Sequence, residues 1–270
     1  MSLTWRPEEE LVPPRPGPAG LLCAVLRGVP LLLLLAAGLA LKLLIRAAEA
    51  LLCGPRRPVS PWVTVAVCRL SLRLLGMRAR AEGQPWRGPG AMLANHSSWL
   101  DILALNAQAP VTFVAKAEVG GWPGIGWLAR ATGTLFVRRE ARGEVAAQAR
   151  ALAERIEAGQ TLVLFPEGTS TDGRRVLPFK SALLAGLLAP GLPAGLMVQP
   201  VTLAYEAPPG EDPRFYGWFG GAEFGPHAIG VLGAKRQGTV RITFHPPIPV
   251  AGRDRKSLAA EAEARVRAAL

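Results

Sequence analysis

The part of the chain best suited to chemistry is the run NHSSWLD at residues 95–101. It holds His96 and Asp101, with four residues between them. The run follows a short apolar stretch that predicts a buried strand, and a helical pattern begins within it. In a tight strand-to-helix turn, the Asp101 carboxylate can reach one imidazole nitrogen and leave the other free to accept a proton. The pair is therefore a candidate general base, although an N-cap beside an incidental histidine fits the same residues.

Polar side chains also follow other apolar runs in the sequence. At residues 165–170, FPEGTS, the carboxylate of Glu167 would be costly to bury without a partner. Residues 133–139, GTLFVRR, end in two arginines whose guanidinium groups could clamp a phosphate. Lys116, at the end of an earlier predicted strand, could lie on the same rim. The plainer interpretations are a capping acid at a turn and a solvated basic strand end.

The elements that must position these side chains alternate after residue 83. Short apolar runs typical of strands alternate with stretches of helical periodicity, which predicts an α/β domain with a largely parallel sheet flanked by helices. The predicted strands are residues 91–94, 111–115, 134–137, 161–165, 197–204 and 239–245. The predicted helices are residues 99–107, 125–131, 144–158, 181–189 and 257–269. Residues 206–236, rich in glycine, proline and aromatic residues, are predicted to form a long loop that could have a functional role.

An apolar segment at residues 21–45 precedes this domain and carries only two charges, Arg27 and Lys42. As a helix it would be roughly 37 Å long, against about 30 Å for the hydrocarbon core of a bilayer. This length favours a transmembrane anchor. Pro30 and the short charge-free stretch leave monotopic insertion open, and a soluble packing helix is the third alternative.

A second apolar stretch at residues 63–77 carries Arg69 and Arg73 on one helix face. It suits a helix on a lipid surface or an ordinary amphipathic core helix equally well. The two stretches lead us to divide the chain into an N-terminal membrane-anchoring helical region, residues 1–77, and an α/β domain, residues 78–270.

The composition of the chain limits the kinds of molecule that it could bind. The chain of 270 residues has 31 Lys and Arg against 20 Asp and Glu, a net charge of +11, and half of its residues are hydrophobic. Such a chain is not disordered, and its basic character suits an anionic partner. Only 6% of residues are aromatic and the basic residues are scattered, so we expect membrane lipids rather than nucleic acid. The three cysteines, Cys23, Cys53 and Cys68, are expected to be small buried residues in a reducing environment.

Taken together and in this order, the motifs resemble those of the glycerolipid acyltransferase family. That family includes the 1-acyl-sn-glycerol-3-phosphate (lysophosphatidic acid) acyltransferases and the bacterial lyso-ornithine lipid acyltransferases. The resemblance spans residues 90–203. It consists of His-x4-Asp at 96–101, Gly-x-x-Phe-Val-x-Arg at 133–139, Phe-Pro-Glu-Gly-Thr at 165–169 and Val-Gln-Pro-Val at 198–201.

The resemblance implies that His96 removes the proton from the acceptor hydroxyl and that Asp101 holds and charges the imidazole. The hydroxyl oxygen would attack an acyl thioester of coenzyme A or acyl carrier protein, the co-substrate, without an acyl-enzyme intermediate. No cofactor and no metal are implied. Lys116 and Arg139 would contact the acceptor phosphate. The residues expected to position the acceptor are Glu167, Gly168 and Thr169.

The resemblance leads us to expect acylation of 1-acyl-sn-glycerol-3-phosphate to phosphatidic acid, a step of phospholipid biosynthesis. We expect a bacterial-type inner membrane, with the α/β domain on the cytoplasmic side. Two departures keep lyso-ornithine lipid or another lysolipid open as the acceptor. Ser170 stands where members with phosphorylated acceptors often have Arg, and Arg138 stands where they often have Asp.

Two function classes outside this family are also compatible with the sequence. A metal-dependent lipid phosphoesterase would need several clustered Asp or His ligands, and only His96 and Asp101 are close in sequence. A non-enzymatic lipid-binding module would not need this pair at all.

Overall fold

The computed structural model describes residues 5–6, 16–122, 124–137, 145–189 and 191–270. The strands in these ranges are β1 Arg78–Glu82, β2 Gly90–Ala94, β3 Val111–Lys116, β4 Leu135–Val137, β5 Thr161–Leu164, β6 Met197–Glu206, β7 Thr239–Phe244 and β8 Ile248–Pro249. The α-helices are α1 Pro18–Leu52, α2 Ser60–Leu75, α3 Leu100–Asn106, α4 Ile125–Thr132, α5 Val145–Glu157, α6 Phe224–Gly233 and α7 Arg255–Ala268. Two 3₁₀ helices are Ala117–Gly121 and Ser181–Leu188.

The strands form one mixed sheet in the order β1-β7-β6-β2-β5-β3-β4, and β8 pairs with β6 outside that path. Strand β6 runs antiparallel to β7 and β8, whereas the other pairs are parallel. The predicted α/β fold with a largely parallel sheet and flanking helices is therefore confirmed. Parallel strands end at the same edge of the sheet, so the polar residues after β2, β3 and β5 are brought towards one another.

Strand β2 lies in the middle of the sheet, and all five of its residues are buried. Its alternate side chains point to opposite faces. Met92 and Ala94 join a core beneath α2, α3 and α6, whereas Ala91 and Leu93 join a second core beneath α5, α7 and the 3₁₀ helix Ser181–Leu188. Burial on both faces explains why β2 reads as an apolar run and not as an alternating pattern.

Among the described residues, sequence reasoning missed two strands, one α-helix and the 3₁₀ helix Ala117–Gly121. Strand β1 alternates charged and small residues and is exposed throughout, as an edge strand can be. Strand β8 is only two residues long. Helix α6 lies inside the predicted loop 206–236, so that prediction is wrong there. The glycines of α6 are not typical of a helix, so the sequence did not predict one. Gly233 allows α6 to pack closely on α1, since a Cβ there would lie 3.0 Å from the Gly20 carbonyl oxygen.

Of the three cysteines, only Cys68 is buried as expected. Cys53 is exposed and Cys23 is partly exposed, so the expectation is wrong for these two residues. Both lie on α1 or at its end, where the apolar sequence does not become protein core. All three are free thiols.

Helix α1 has the length and composition needed to cross a membrane. One side of it contacts the rest of the molecule from Gly20 to Glu49. Near its start, Arg27 donates to the carbonyls of Leu232 and Ala234 at the end of α6. Further along, the Lys42 ammonium donates to Thr132 O at the end of α4 (3.0 Å) and to the hydroxyl of an α2 threonine. The charged residues of α1 are thus used to dock it, and the division at residues 77 and 78 stays a prediction.

The close approach of α1 and α2 at Gly38 gives a test of this docking. A Cβ at Gly38 would lie 2.3 Å from Val67 Cγ2, whereas one at Gly28 would meet Leu232 Cδ1 at 3.5 Å, an ordinary contact. Both glycines are helical, so Ala adds the same helix propensity, about 1 kcal/mol, at either position. We expect Gly38→Ala to lower the thermal midpoint in detergent by several degrees, because overpacking costs about 1–3 kcal/mol.

The matched variant Gly28→Ala should keep or slightly raise the midpoint. Equal midpoints for the two variants, measured by circular dichroism, would contradict the packing of α1 on α2.

Candidate active site

The predicted histidine lies in the turn between β2 and α3, the predicted aspartate is the second residue of α3, and their side chains come together. The His96 Nδ1 atom lies 2.7 Å from Asp101 Oδ2. Asp101 is fully buried, whereas 23% of the His96 side chain is exposed. Asn95 anchors the start of the turn, because its amide accepts from the backbone N–H of Leu203 (2.8 Å) and donates to the Leu203 carbonyl (2.9 Å). The histidine is therefore held by its neighbours while part of its side chain is exposed to solvent.

The Asp101 carboxylate accepts four hydrogen bonds. Oδ2 accepts from His96 and from the backbone N–H groups of Ser97 (2.8 Å) and Ser98 (3.0 Å). Oδ1 accepts from the hydroxyl of Tyr205 (2.7 Å). Donors on every side stabilise the ionised carboxylate. Because a carboxylate only accepts, His96 carries its proton on Nδ1, and its Nε2 lone pair is left to take a proton.

The His96 ring is also fixed by stacking. It lies against the Phe165 ring with centroids 4.1 Å apart and planes 17° from parallel. Phe165 follows β5 and begins the Phe-Pro-Glu-Gly-Thr motif, so this motif supports the imidazole from beneath. Phe165 of the motif thus contacts the His96 ring directly.

Glu167 of the same motif is fully buried. Its Oε1 accepts from the His96 backbone N–H and its Oε2 from the Leu177 backbone N–H, each at 2.7 Å. The His96 carbonyl in turn accepts from the Thr171 backbone N–H at 2.9 Å. Burial raises the pKa of Glu167 to about 8, against the lowering effect of the two amide hydrogen bonds, and the nearby Asp101 charge acts in the same direction as burial. The geometry supports a role in holding the His96 turn, and direct contact with the acceptor stays a prediction.

Two other predicted substrate-binding residues, Gly168 and Thr169, lie in the loop after β5. Gly168 is buried with φ +76°, a conformation that favours glycine, and its N–H closes the turn onto Phe165 O at 3.0 Å. The Thr169 hydroxyl accepts from the backbone N–H of Trp5 at 3.2 Å. Lys116 is the last residue of β3, paired in register with the end of β4. Arg139, and Arg138 before it, lie outside the described residues.

Sequence reasoning missed how the loop before α6 closes against the site. The Ser170 hydroxyl donates to Trp218 O at 2.5 Å, and the Trp218 backbone N–H donates to Ser97 O at 2.7 Å. Trp218 therefore joins the loop after β5 to the turn after β2. Its ring contacts Trp122 and Phe224 edge-on, at 5.8 and 5.6 Å between centroids. The clustered aromatic residues of this loop were the only signal in the sequence.

Within the described ranges, no group of three or more His, Cys, Asp and Glu side chains could hold a metal ion. The site contains the His96 imidazole, whose Nε2 is left to take a proton, and the buried Asp101 carboxylate hydrogen-bonded to Nδ1. The loop after β5, rich in hydroxyl and amide groups, lies beside them. This arrangement can remove a proton from a hydroxyl group.

Comparison with known proteins decides the family. A family model described as Acyltransferase matches residues 78–204. The chain is 50% identical to a lyso-ornithine lipid O-acyltransferase of Rhodobacter capsulatus over 246 residues, 91% of this chain and 89% of the relative. This chain belongs to the acyltransferase family. It is therefore an enzyme, and its resemblance to this family is confirmed.

Further relatives differ in how much they share with this acyltransferase. A lyso-ornithine lipid O-acyltransferase of Pseudomonas aeruginosa is 37% identical over 91% of this chain and 93% of its own length. A 1-acyl-sn-glycerol-3-phosphate acyltransferase of Neisseria gonorrhoeae is 39% identical, over 42% of each chain. The crystal structure of the 1-acyl-sn-glycerophosphate acyltransferase PlsC from Thermotoga maritima matches with a TM-score of 0.54 at 20% identity. The match covers 90% of this chain and 95% of that one, and it supports the fold.

The raised pKa of Glu167 predicts a pH dependence of stability. Between its ordinary value of 4.5 and about 8, the folded protein retains a proton that the unfolded chain has released. The free energy of unfolding should therefore decrease as the pH rises through this range, with a slope of at most about 1.4 kcal/mol per pH unit. Denaturant unfolding in detergent at several pH values measures it.

The variant Glu167→Gln should lose this part of the slope, since its side chain does not titrate. An unchanged slope in Glu167→Gln would refute the prediction.

Proposed function

We propose that this acyltransferase transfers an acyl group from a thioester to the free hydroxyl of lyso-ornithine lipid. The observation that carries the proposal is the 50% identity to the Rhodobacter capsulatus enzyme of that name over nearly the full length of both chains. The similarity to 1-acyl-sn-glycerol-3-phosphate acyltransferases covers only 42% of the chain. The lysophosphatidic acid reaction expected first from sequence is therefore the less supported of the two, and a lysolipid acceptor is common to both.

The site itself supports a non-phosphorylated acceptor. Ser170 replaces the arginine expected for a phosphate, and its hydroxyl is already used to bind Trp218 O. An N-acylated ornithine carries a carboxylate and an ammonium group and no phosphate. Replacing one arginine removes a bidentate phosphate donor, which matters less for such a head group.

In the proposed mechanism, His96 Nε2 takes the proton of the acceptor hydroxyl while the hydroxyl oxygen attacks the thioester carbonyl carbon. The Asp101 charge stabilises the imidazolium that forms. The tetrahedral intermediate then breaks its C–S bond, and the departing thiolate of coenzyme A or acyl carrier protein receives the proton from His96. The thioester is already activated, so the enzyme mainly aligns the hydroxyl and supplies the base.

Helix α1 would hold this site at the membrane by lying in the bilayer surface. Its contacts with the α/β domain extend from Gly20 to Lys42, roughly 33 Å along a helix. A helix bound over that length could not cross the bilayer without drawing the polar domain into the hydrocarbon. Its opposite side exposes leucines that include Leu26 (65%), Leu33 (66%) and Leu44 (71%). We place the catalytic side towards the cytoplasm, where the thioesters are made.

The acceptor preference can be tested on the purified full-length enzyme in mixed micelles. Lyso-ornithine lipid and lysophosphatidic acid are offered in parallel, each with acyl-CoA and with acyl-acyl carrier protein. We expect kcat/KM to be at least about 10-fold higher for lyso-ornithine lipid, a difference of about 1.4 kcal/mol in transition-state binding. A preference for lysophosphatidic acid would overturn the acceptor assignment.

Removal of the base tests the mechanism separately. His96→Ala should lower kcat by about 10²–10⁴-fold, the usual contribution of a general base. His245 is a suitable control, because it is not part of the His96–Asp101 pair. Its Nε2 contacts instead the hydroxyl of Thr202 on β6, at 2.8 Å. His245→Gln should retain wild-type kcat, and equal rates for His96→Ala and wild type would remove His96 from the mechanism.

A further inference from the structure

A buried tyrosine contacts the proposed catalytic pair from behind. Tyr205 lies on β6, and its hydroxyl donates to Asp101 Oδ1 at 2.7 Å. Its side chain is buried, with 6% of the residue exposed. The residue is one position beyond the segment matched by the family model, residues 78–204. The contact joins positions 104 residues apart.

We propose that Tyr205 is a positioning residue that orients the Asp101 carboxylate and weakens its pull on His96. The proposal rests on the proposed function, since it takes His96 as the base of the reaction. Tyr205 acts only through Asp101 and needs no contact with either substrate.

The geometry of Asp101 gives the first reason. Three donors converge on Oδ2, and the Tyr205 hydroxyl is the donor recorded on Oδ1. A carboxylate can rotate about its Cβ–Cγ bond, and a hydrogen bond on the far oxygen fixes that rotation. Without this donor, a fully buried charged oxygen would lose its partner, which is strongly unfavourable.

Charge distribution gives the second reason. A hydroxyl donating to Oδ1 draws negative charge towards that oxygen and leaves less on Oδ2, which faces the imidazole. The imidazolium form of His96 is then stabilised less than by a carboxylate lacking this donor. Loss of the donor would therefore strengthen the attraction between Asp101 and the imidazolium.

The position of the hydroxyl is fixed by the sheet. Strand β6 is paired on one side with β2 and on the other with β7, where Tyr205 is opposite Val240. Burial and the Asp101 charge raise the pKa of Tyr205 well above its ordinary value, so the hydroxyl keeps its proton and only donates to Asp101. A donor held by a central strand is preorganised for this role.

The chain contains a matched control in Tyr216, whose ring lies 5.6 Å from that of Tyr205. Tyr216 is also buried, but its hydroxyl donates to Gln237 Oε1 (2.9 Å) and accepts from the Gly238 backbone N–H (2.7 Å). It has no hydrogen bond to Asp101 in this structure. Loss of its hydroxyl therefore reports the cost of a missing buried hydrogen bond without the coupling to His96.

The test compares Tyr205→Phe and Tyr216→Phe in the full-length enzyme, with pH profiles of kcat and kcat/KM for lyso-ornithine lipid. For Tyr205→Phe we expect kcat to fall about 10-fold with little change in KM, the pattern of a lost transition-state interaction. We also expect the acidic limb of the profile to move to higher pH by roughly half a unit to one unit. Tyr216→Phe should lower the thermal midpoint and leave the acidic limb in place.

A graded substitution keeps the test informative if Tyr205→Phe folds poorly. Incorporation of 3-fluorotyrosine at position 205 makes the hydroxyl a stronger donor at nearly constant size. The acidic limb should then move to lower pH, opposite to the shift in Tyr205→Phe. An acidic limb that stays fixed in both cases would overturn the proposal.

Imidazole NMR titration of the histidine-labelled enzyme separates this inference from the proposed function. The chain has three histidines, so the His96→Ala variant assigns the signal. The His96 titration midpoint should rise in Tyr205→Phe and stay unchanged in Tyr216→Phe, whether or not the enzyme turns over. Absence of acyl transfer in wild type would refute the proposed function, whereas an unmoved midpoint in Tyr205→Phe would refute the role of Tyr205.

Discussion

The buried charge of Asp101 is the feature on which the rest of the site depends. A carboxylate out of contact with water is costly, and here it is stabilised by an imidazole, two backbone amides and a tyrosine hydroxyl. These donors come from the turn after β2 and from β6. The charge can exist only where the turn and the strand are held together, so the central pairing of β2 with β6 is also the pairing that builds the site.

The sheet brings a second loop to the same place. Glu167, after β5, holds the backbone N–H of His96, and Thr171 holds its carbonyl. Phe165 supports the ring face. The motif that sequence reasoning assigned to the acceptor therefore also fixes the base. A histidine base held in position suits a reaction in which the substrate already carries an activated acyl group and only a hydroxyl must be aligned.

The N-terminal helix gives this site its proposed relation to the membrane. The polar side chains of α1 bind the ends of α6 and α4, and Glu49 accepts from the backbone N–H groups of Val59 and Ser60 at the start of α2. Each charged side chain of α1 thus has a protein partner, while most of its leucines remain exposed. Both substrates of the proposed reaction carry an acyl chain, and an enzyme lying along the bilayer surface can receive them without extracting them far into water.

The sequence by itself determined the parts that depend on local pattern. Alternating apolar and helical stretches predicted most of the sheet and its flanking helices, and the spacing of His96 and Asp101 predicted that their side chains can meet. Local structure can be predicted from the sequence in this way, because a strand, a helix or a tight turn is determined mainly by residues adjacent in the chain. The exposed strand β1 was not predicted, because pairing with β7 stabilises it. The glycine-rich helix α6 was not predicted, because packing on α1 stabilises it.

Only the tertiary structure decided which distant groups meet the catalytic pair. Tyr205 is 104 residues from Asp101, and Trp218 reaches Ser97 from a segment predicted to be a loop. Tyr205 carries no local signal of its role, and the only signal for Trp218 is the clustering of aromatic residues in its loop. Sheet order and register bring them into contact, and both are set by burial of the whole core, which no single segment of the sequence encodes.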